Sequence, residues 1–535
     1  MKQNKYFLYL LVCLLAIVHT PKLLGQNVQV NVEVSNTLTN IAQNPVGLCL
    51  SYPHDDTDYF PNRVRSTTEA FNSIQGGTLR FPMGALADNY LWHEPGDYQN
   101  AVNGLNPRIA SEGRNPAPWD WLVNTDGTIK DSALDFDEFV DLYQQTGTEP
   151  IIMVNAFGHV DAESLYSYEQ IKTNAVEWVR YANITKNLNI KYWEIGNELS
   201  VEVNKGHITV QEYIDLFNDF ADAMKAVDPT IKVGLGLGFG HFDQVLAGTY
   251  TKADFVVPHQ YQGFENYNEY KNLISPPPLT YITNANNAIS NLPAPYRDTI
   301  EILATEFSSF SPQGSWKSPN GSNDPANTIG KSLVTFEMIT SALAQYDRIA
   351  YMHFWTTHSA FNAMGFSDKY ANAFDQYLNT LPQGNALTIF NMFRKDRMVQ
   401  TSSTSSLIRS YASYSPNSEE LSIYLINKDT NPVPVDINNI DNASQLGSGN
   451  IWTYAGNTGS PEDTATSISQ TGTASPQGNG YSITLPPVSV TVINTTQILL
   501  QLYLQQVRPA STMNRLVVLF NGPHYPTLRV PVIRK

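Results

Sequence analysis

Eight short, nearly continuous apolar runs recur through roughly the first two-thirds of the chain: Val46–Ser51, Thr78–Pro82, Pro150–Asn155, Lys191–Gly196, Ile231–Gly236, Asp254–His259, Glu301–Thr305 and Arg348–Trp355. A strand covered on both faces needs apolar side chains on both, so these runs predict buried parallel strands. Helical stripes separate several of them. Phe136, Phe139, Val140 and Tyr143 share one helical face, as do Ile171, Ala175, Trp178, Val179 and Ala182. Tyr213, Leu216, Phe217, Phe220 and Met224 repeat the pattern, and Ile329 to Tyr346 predicts a further helix. Strand–helix alternation predicts an α/β fold, and eight strands predict a closed (β/α)₈ TIM barrel. A doubly wound open sheet is the alternative; no Gly-rich dinucleotide fingerprint follows the first run, which counts against it. The long segments Asn89–Asp131 and Gln262–Asn284 follow strands and are expected on the face where barrels carry their sites.

Beyond about Gly384 the pattern changes. Ser406–Tyr414, Glu420–Asn427, Tyr481–Leu485 and Ser489–Asn494 are short strand-like runs between Ser, Asn, Gly and Pro turns, which predicts a smaller β-sandwich. Val28–Val34 alternates strictly and fits an added strand of that sheet. The expected organisation is a signal segment over 1–25, a barrel over 26–383 (with 26–36 able to pair with the sandwich), a sandwich over 384–500 and an unassigned tail over 501–535. No acidic residue follows Asp463, and the tail carries Arg508, Arg515, Arg529, Arg534 and Lys535.

Composition narrows the partners. At 535 residues the chain is long enough for two domains, and 42% hydrophobic against 15% charged residues excludes a disordered one. A formal net charge of -16 argues against nucleic acid or an anionic membrane, since phosphate binding needs a basic patch. Lys2 and Lys5 followed by the apolar stretch Phe7–Val18 predict a secretory signal cleaved near Gly25 or Gln26, hence a secreted protein, extracellular or periplasmic, with no integral membrane span after cleavage. Val12 is not small, which argues against a lipoprotein site at Cys13. Cys49 is then the only cysteine, so neither an intrachain disulfide nor a Cys₂His₂ or Cys₄ zinc site is available.

Two apolar runs end in glutamate. Tyr192-Trp193-Glu194-Ile195-Gly196-Asn197-Glu198 closes the fourth and Ile300 to Glu306 the seventh. Gly-Asn-Glu alone also suits a turn, but strands four and seven face one another across a barrel mouth. Glycosidic cleavage needs one carboxyl to protonate the leaving oxygen and another to attack or to activate water. Asn197 is placed to hydrogen-bond a sugar hydroxyl. Glu194 and Glu301 sit too deep along their strands and are expected to face the barrel core or its bottom.

With these residues in place the chain resembles clan A of the retaining glycoside hydrolases, over roughly residues 40 to 390. Leu79-Arg80-Phe81-Pro82-Met83-Gly84 is similar to the second-strand motif of the α-L-arabinofuranosidase and related families, with Met83 where they often carry Gly. Pro258-His259-Gln260-Tyr261 resembles their sixth-strand motif, and Trp355 matches the eighth-strand tryptophan that floors the first sugar site. After Glu198 the chain reads Leu199-Ser200-Val201-Glu202 instead of Met-Asp-Gly, so the resemblance carries clan and mechanism but not the sugar. β-Xylosidase, heparanase-like and agarase or porphyranase families stay open.

The resemblance implies Glu198 as acid/base and Glu306 as nucleophile, with retention and carboxyls about 5–5.5 Å apart. Burial and the neighbouring charge are expected to raise the Glu198 pKa. No metal or organic cofactor is needed. The other candidates carry two readings each. Arg80 orients Glu306 or binds substrate, or is a structural ion pair. His259 tunes the carboxylates or is a core histidine. Tyr261 donates to the nucleophile or simply packs. Asn155 bonds a sugar or Glu198. Trp92, Trp119, Trp121 and Trp316 lie in expected loops, with Trp92 the chosen stacking platform for a sugar ring. The substrate expected is a polysaccharide or oligosaccharide: an agar- or porphyran-type galactan, an arabinan or xylan, or a β-glucan. A non-catalytic carbohydrate-binding protein on a degenerate barrel and a transglycosylase are the alternatives.

Overall fold

The computed structural model describes residues 26–56, 62–111, 121–160, 163–309, 327–358, 371–438, 440, 443–495 and 498–500. The expected signal segment, Trp119, Trp316 and the basic tail lie outside the described residues. Eight parallel strands close into a barrel: β1 Val46–Cys49, β2 Thr78–Phe81, β3 Glu149–Val154, β4 Tyr192–Ile195, β5 Lys232–Gly238, β6 Phe255–Tyr261, β7 Glu301–Ser308 and β8 Ile349–Phe354. Each grows from one of the apolar runs. β8 returns to β1 through Met352–Val46 and Phe354–Leu48, which closes the ring. β1 and β4 are buried along their whole length, as strands walled by helices outside and side chains inside must be.

The outer helices start with a shared device. Ser66, Asp135, Ser167 and Thr209 each cap a helix, and Glu69, Glu138, Gln170 and Glu212 reach back to the cap backbone. Two orphan amides are satisfied at each start, so the sequence fixes where these helices begin. Deep in the barrel Ile151, Tyr192, Phe255, Val257 and Leu303 form a small apolar layer. Glu301, at the start of β7, is paired with Lys232 at 2.7 Å at that lower end, away from the strand ends that carry the site.

The second domain is a nine-stranded sheet. Val28–Asn40 lies inside it, antiparallel to Arg397–Ser403 and parallel to Val433–Asn438. Its alternation is used as expected, with Val30, Val32 and Val34 buried in the sheet's own core beside Leu421, Ile423 and Leu425. The alternate residues of Glu420–Asn427, Tyr424 and Ile426, face the barrel and join its core. The sheet therefore buries both faces in its middle, and a strand buried on both faces reads as a continuous apolar run.

The expected sandwich start at 384 needs correction. Pro382–Phe393 is a helix, with Pro at its first turn and Ala386, Leu387, Ile389, Phe390 and Phe393 buried in the barrel core. The sheet resumes at Arg397. The segment Gln262–Asn284 is likewise not all loop: Tyr267–Lys271 is helical and Thr280 opens a helix reaching Ser290. Between the two domains runs helix Ile329–Gln345, buried at every position from Ile329 to Leu343. Among the described residues no helix is long and apolar enough to cross a membrane.

Candidate active site

The C-terminal ends of β1, β2, β4, β6, β7 and β8 converge on one polar cluster. Arg80, fully buried on β2, is its centre. Its Nε donates to Glu194 Oε2 at 2.9 Å and its Nη2 to Glu194 Oε1 at 2.7 Å. Nη2 also donates to Asn197 Oδ1 at 3.0 Å, and Nη1 to Glu306 Oε1 at 2.8 Å. Nη1 further points at Cys49 Sγ, 3.6 Å away on β1. The two readings of Arg80 thus merge: it is a buried ion pair and it also holds Glu306.

Glu198 follows β4 through Gly196 and Asn197. It stands at φ 50°, ψ 56°, in the left-handed region, as the residue before helix Leu199–Lys205. A glutamate gains nothing intrinsic there, so the surroundings must impose it. They do so closely: a Cβ on Gly238, at the end of β5, would lie 3.0 Å from Glu198 Cα. The backbone behind is braced by Tyr213, whose hydroxyl donates to Ile195 O at 2.8 Å and accepts from Gly236 N at 3.0 Å. Asp88 accepts from Asn197 N at 3.3 Å.

Glu306 lies on β7, opposite. Tyr261 donates to its Oε2 at 2.5 Å. His259 joins the two glutamates: its Nδ1 is 2.8 Å from Glu198 Oε1 and 3.3 Å from Glu306 Oε2. The three ligand atoms of Glu198, His259 and Glu306 all fall within 4.8 Å of one another, a spacing that would also suit a metal ion. The guanidinium of Arg80 already stands against Glu306 at 2.8 Å, shared with Glu194. Trp355 at the end of β8 is buried beside Gly84, whose missing side chain matters. A Cβ there would fall 2.3 Å from Glu306 Oε1 and 2.6 Å from Trp355 Cζ3.

The two glutamates differ electrostatically. Burial pushes the Glu198 carboxyl up to about 7, against the opposing pull of Arg80. Burial also raises Glu306, against the opposing pull of Arg80 and of the Tyr261 hydrogen bond. Burial holds His259 below its usual value, so the ring is neutral near pH 7. Burial raises Tyr261 far enough to remain a phenol and a donor.

The remaining candidates divide. Asn155, just past β3, accepts from Gly158 N on its Oδ1 at 2.8 Å, which holds the loop after the strand. Trp92 needs correction as a sugar platform. It is fully buried, donates to Asn174 O at 2.8 Å and stacks on Tyr181 at 4.9 Å and Trp178 at 6.3 Å. The segment after β2 folds back over the helices, and a large ring in it filled the core. Trp92→Ala should cost about 3–5 kcal/mol in urea unfolding while leaving KM unchanged. Trp121 stacks on His54 with centroids 5.6 Å apart.

Sequence reasoning left Thr305, Cys49, Asp88, Tyr213 and Phe239 unassigned. Thr305 sits 3.2 Å from His259 Nε2. Phe239 stands edge-on to His259 and 6.2 Å from Tyr261, an aromatic wall beside the carboxylates. Tyr213 was hidden by its place in an apolar helical stripe. Thr305 alone carried a signal, as a polar residue inside the β7 run, next to Glu306.

Comparison with known proteins agrees with this geometry. The family described as Alpha-L-arabinofuranosidase 1 domain matches residues 70–273. A probable alpha-L-arabinofuranosidase C of Aspergillus fumigatus is 26% identical over 185 residues, 32% of this chain and 31% of that protein. An intracellular exo-alpha-(1->5)-L-arabinofuranosidase of Bifidobacterium longum is 28% identical over 195 residues, 34% of this chain and 32% of that one. The chain thus spans about a third of the length of these curated relatives. The crystal structure of an alpha-L-arabinofuranosidase from Thermotoga maritima shares the fold, with a TM-score of 0.63 at 18% identity over 88% of this chain and 100% of that one. The chain resembles the arabinofuranosidases among the clan A glycoside hydrolases, with their barrel and second sheet domain.

Proposed function

We propose that the protein is a secreted glycoside hydrolase that cleaves a polysaccharide or oligosaccharide with retention, with Glu306 attacking the anomeric carbon and Glu198 as acid/base. One observation carries this reading: Glu198 and Glu306 meet across a single imidazole, with ligand atoms within 4.8 Å. Retaining glycosidases keep their carboxyls about 5–5.5 Å apart, and inverting ones about 6.5–9.5 Å to admit a water. The donors also separate the roles. Arg80 and Tyr261 give Glu306 two hydrogen bonds that favour a carboxylate. Glu198 has one neutral partner and a raised pKa, which suits a proton donor.

In the first step Glu306 Oε bonds to the anomeric carbon, the glycosidic C–O bond breaks, and the Glu198 proton passes to the leaving oxygen. In the second, Glu198 takes a proton from water as that water displaces Glu306. A degenerate, merely binding barrel has no need to keep this pair aligned.

The pH profile should be a narrow bell. Glu198 must hold a proton, so kcat/KM should fall as pH rises through about 7. Glu306 must be ionised, and since burial raises it, the acid limb should lie above that of an ordinary glutamate. An alkaline limb near the usual carboxylate range would contradict the acid assignment.

The deciding experiment is reducing-sugar release from arabinan, xylan, agarose, porphyran, laminarin and glucuronic-acid polymers, with product anomers followed by NMR. The likeness to arabinofuranosidases puts arabinan first. Release with retention from any one supports the reading, and inversion removes it. Transfer to an added acceptor sugar in place of water would mark a transglycosylase. Secretion rests on the Lys2, Lys5 and Phe7–Val18 pattern and is tested by the mass and N-terminus of the exported chain.

A further inference from the structure

Arg80 has five N–H donors, and the site uses all of them. Two go to Glu194, one to Asn197 and one to Glu306, and the last points at Cys49 Sγ. Glu194 is fully buried on β4, and Thr305 Oγ1 stands 3.5 Å from its Oε1. Thr305 in turn touches His259, so one buried carboxylate is linked to Glu306 through Arg80 and to Glu198 through Thr305 and His259. Nothing in hydrolysis itself calls for this third carboxylate.

Resting on the reading above, we infer that Glu194 is the positioning residue of the nucleophile. It takes both arms of one guanidinium edge, Nε and Nη2, in the bidentate geometry that a carboxylate and an arginine favour. That leaves a single arm, Nη1, for Glu306. Without Glu194 the fork is free to swing and clasp Glu306 with two N–H groups in place of one, which would tie up the attacking oxygen. The Glu194 charge also offsets the guanidinium, so Glu306 keeps the basicity a nucleophile needs.

The test compares Glu194→Gln and Glu194→Asp with wild type, on 4-nitrophenyl α-L-arabinofuranoside or whichever polymer of the panel is cut. Glu194→Gln keeps the shape and removes the charge. Its kcat/KM should drop about 100-fold, as a misplaced nucleophile does, and its acid limb should move down by about one pH unit as Arg80 acts on Glu306 undiluted. Glu194→Asp keeps the charge but is one methylene short, so it should lose rate with the acid limb in place. A purely structural role would lower the melting temperature and the active fraction and leave the limb where it was.

An unmoved acid limb in Glu194→Gln overturns the inference, as does full activity in Glu194→Asp. If the Gln variant does not fold, the Asp variant decides by kcat/KM per titrated active site: a per-site loss supports the inference, and a per-site value equal to wild type overturns it. Glu306→Ala with wild-type activity would instead remove the underlying reading, which keeps the two failures apart.

Discussion

Glu306→Ala is expected to lose about 10⁴-fold or more in kcat/KM, with binding of the polymer retained. The carboxylate forms the bond on which the whole cycle turns, and Arg80 Nη1 and the Tyr261 hydroxyl are both aimed at it. The loss should be nearly independent of the leaving group. Glu198→Ala should behave differently. Its role is to deliver a proton, so a nitrophenyl glycoside, whose leaving group needs little protonation, should lose far less than a natural polymer. Azide separates the two further. In Glu306→Ala it can fill the vacated space and attack the sugar directly, giving a glycosyl azide of inverted configuration. In Glu198→Ala it attacks the covalent intermediate, and the azide product keeps the original configuration. Wild-type turnover by Glu306→Ala would end the nucleophile assignment.

The barrel was legible because its strands are buried on both faces and so announce themselves as unbroken apolar runs. The helix starts carried a signal that the apolar pattern left unread: Ser66, Asp135, Ser167 and Thr209 each cap a helix. Trp92 was misread for a physical reason: a tryptophan in an irregular segment looks like a platform, and only the path of that segment shows that it is core. The start of the sheet domain was misplaced because Pro382 and Gly384 look like turn residues, whereas Pro382 sits in the first turn of a helix and a Cβ on Gly384 would meet Ala373 O at 2.5 Å, so the glycine there serves close packing. The convergence of Arg80, Glu194 and Thr305 needed three dimensions. Each is one polar residue in an apolar strand, and sequence spacing says nothing of which polar residues meet inside a barrel.

Arg80→Met should destabilise the fold by about 3–5 kcal/mol, the cost of breaking a buried pair from one side. Arg80 and Glu194 have no solvent exposure, and Glu306 is 4% exposed at its side chain, so two carboxylates would be left without their counter-charge and without water. Glu306 would respond by taking up a proton and would cease to be a nucleophile at neutral pH. Stability and activity can be pulled apart with a second change. Replacing both members of the inner pair, Arg80→Met with Glu194→Met, removes one of the two uncompensated charges and fills the space with apolar volume. Such replacements are often neutral or stabilising, so urea unfolding of the double variant should recover much of the loss. Its activity should stay as low as that of Arg80→Met, because Glu306 still lacks its donor. Recovery of both together would mean that Arg80 serves the fold alone and that Tyr261 and His259 suffice to prepare the nucleophile.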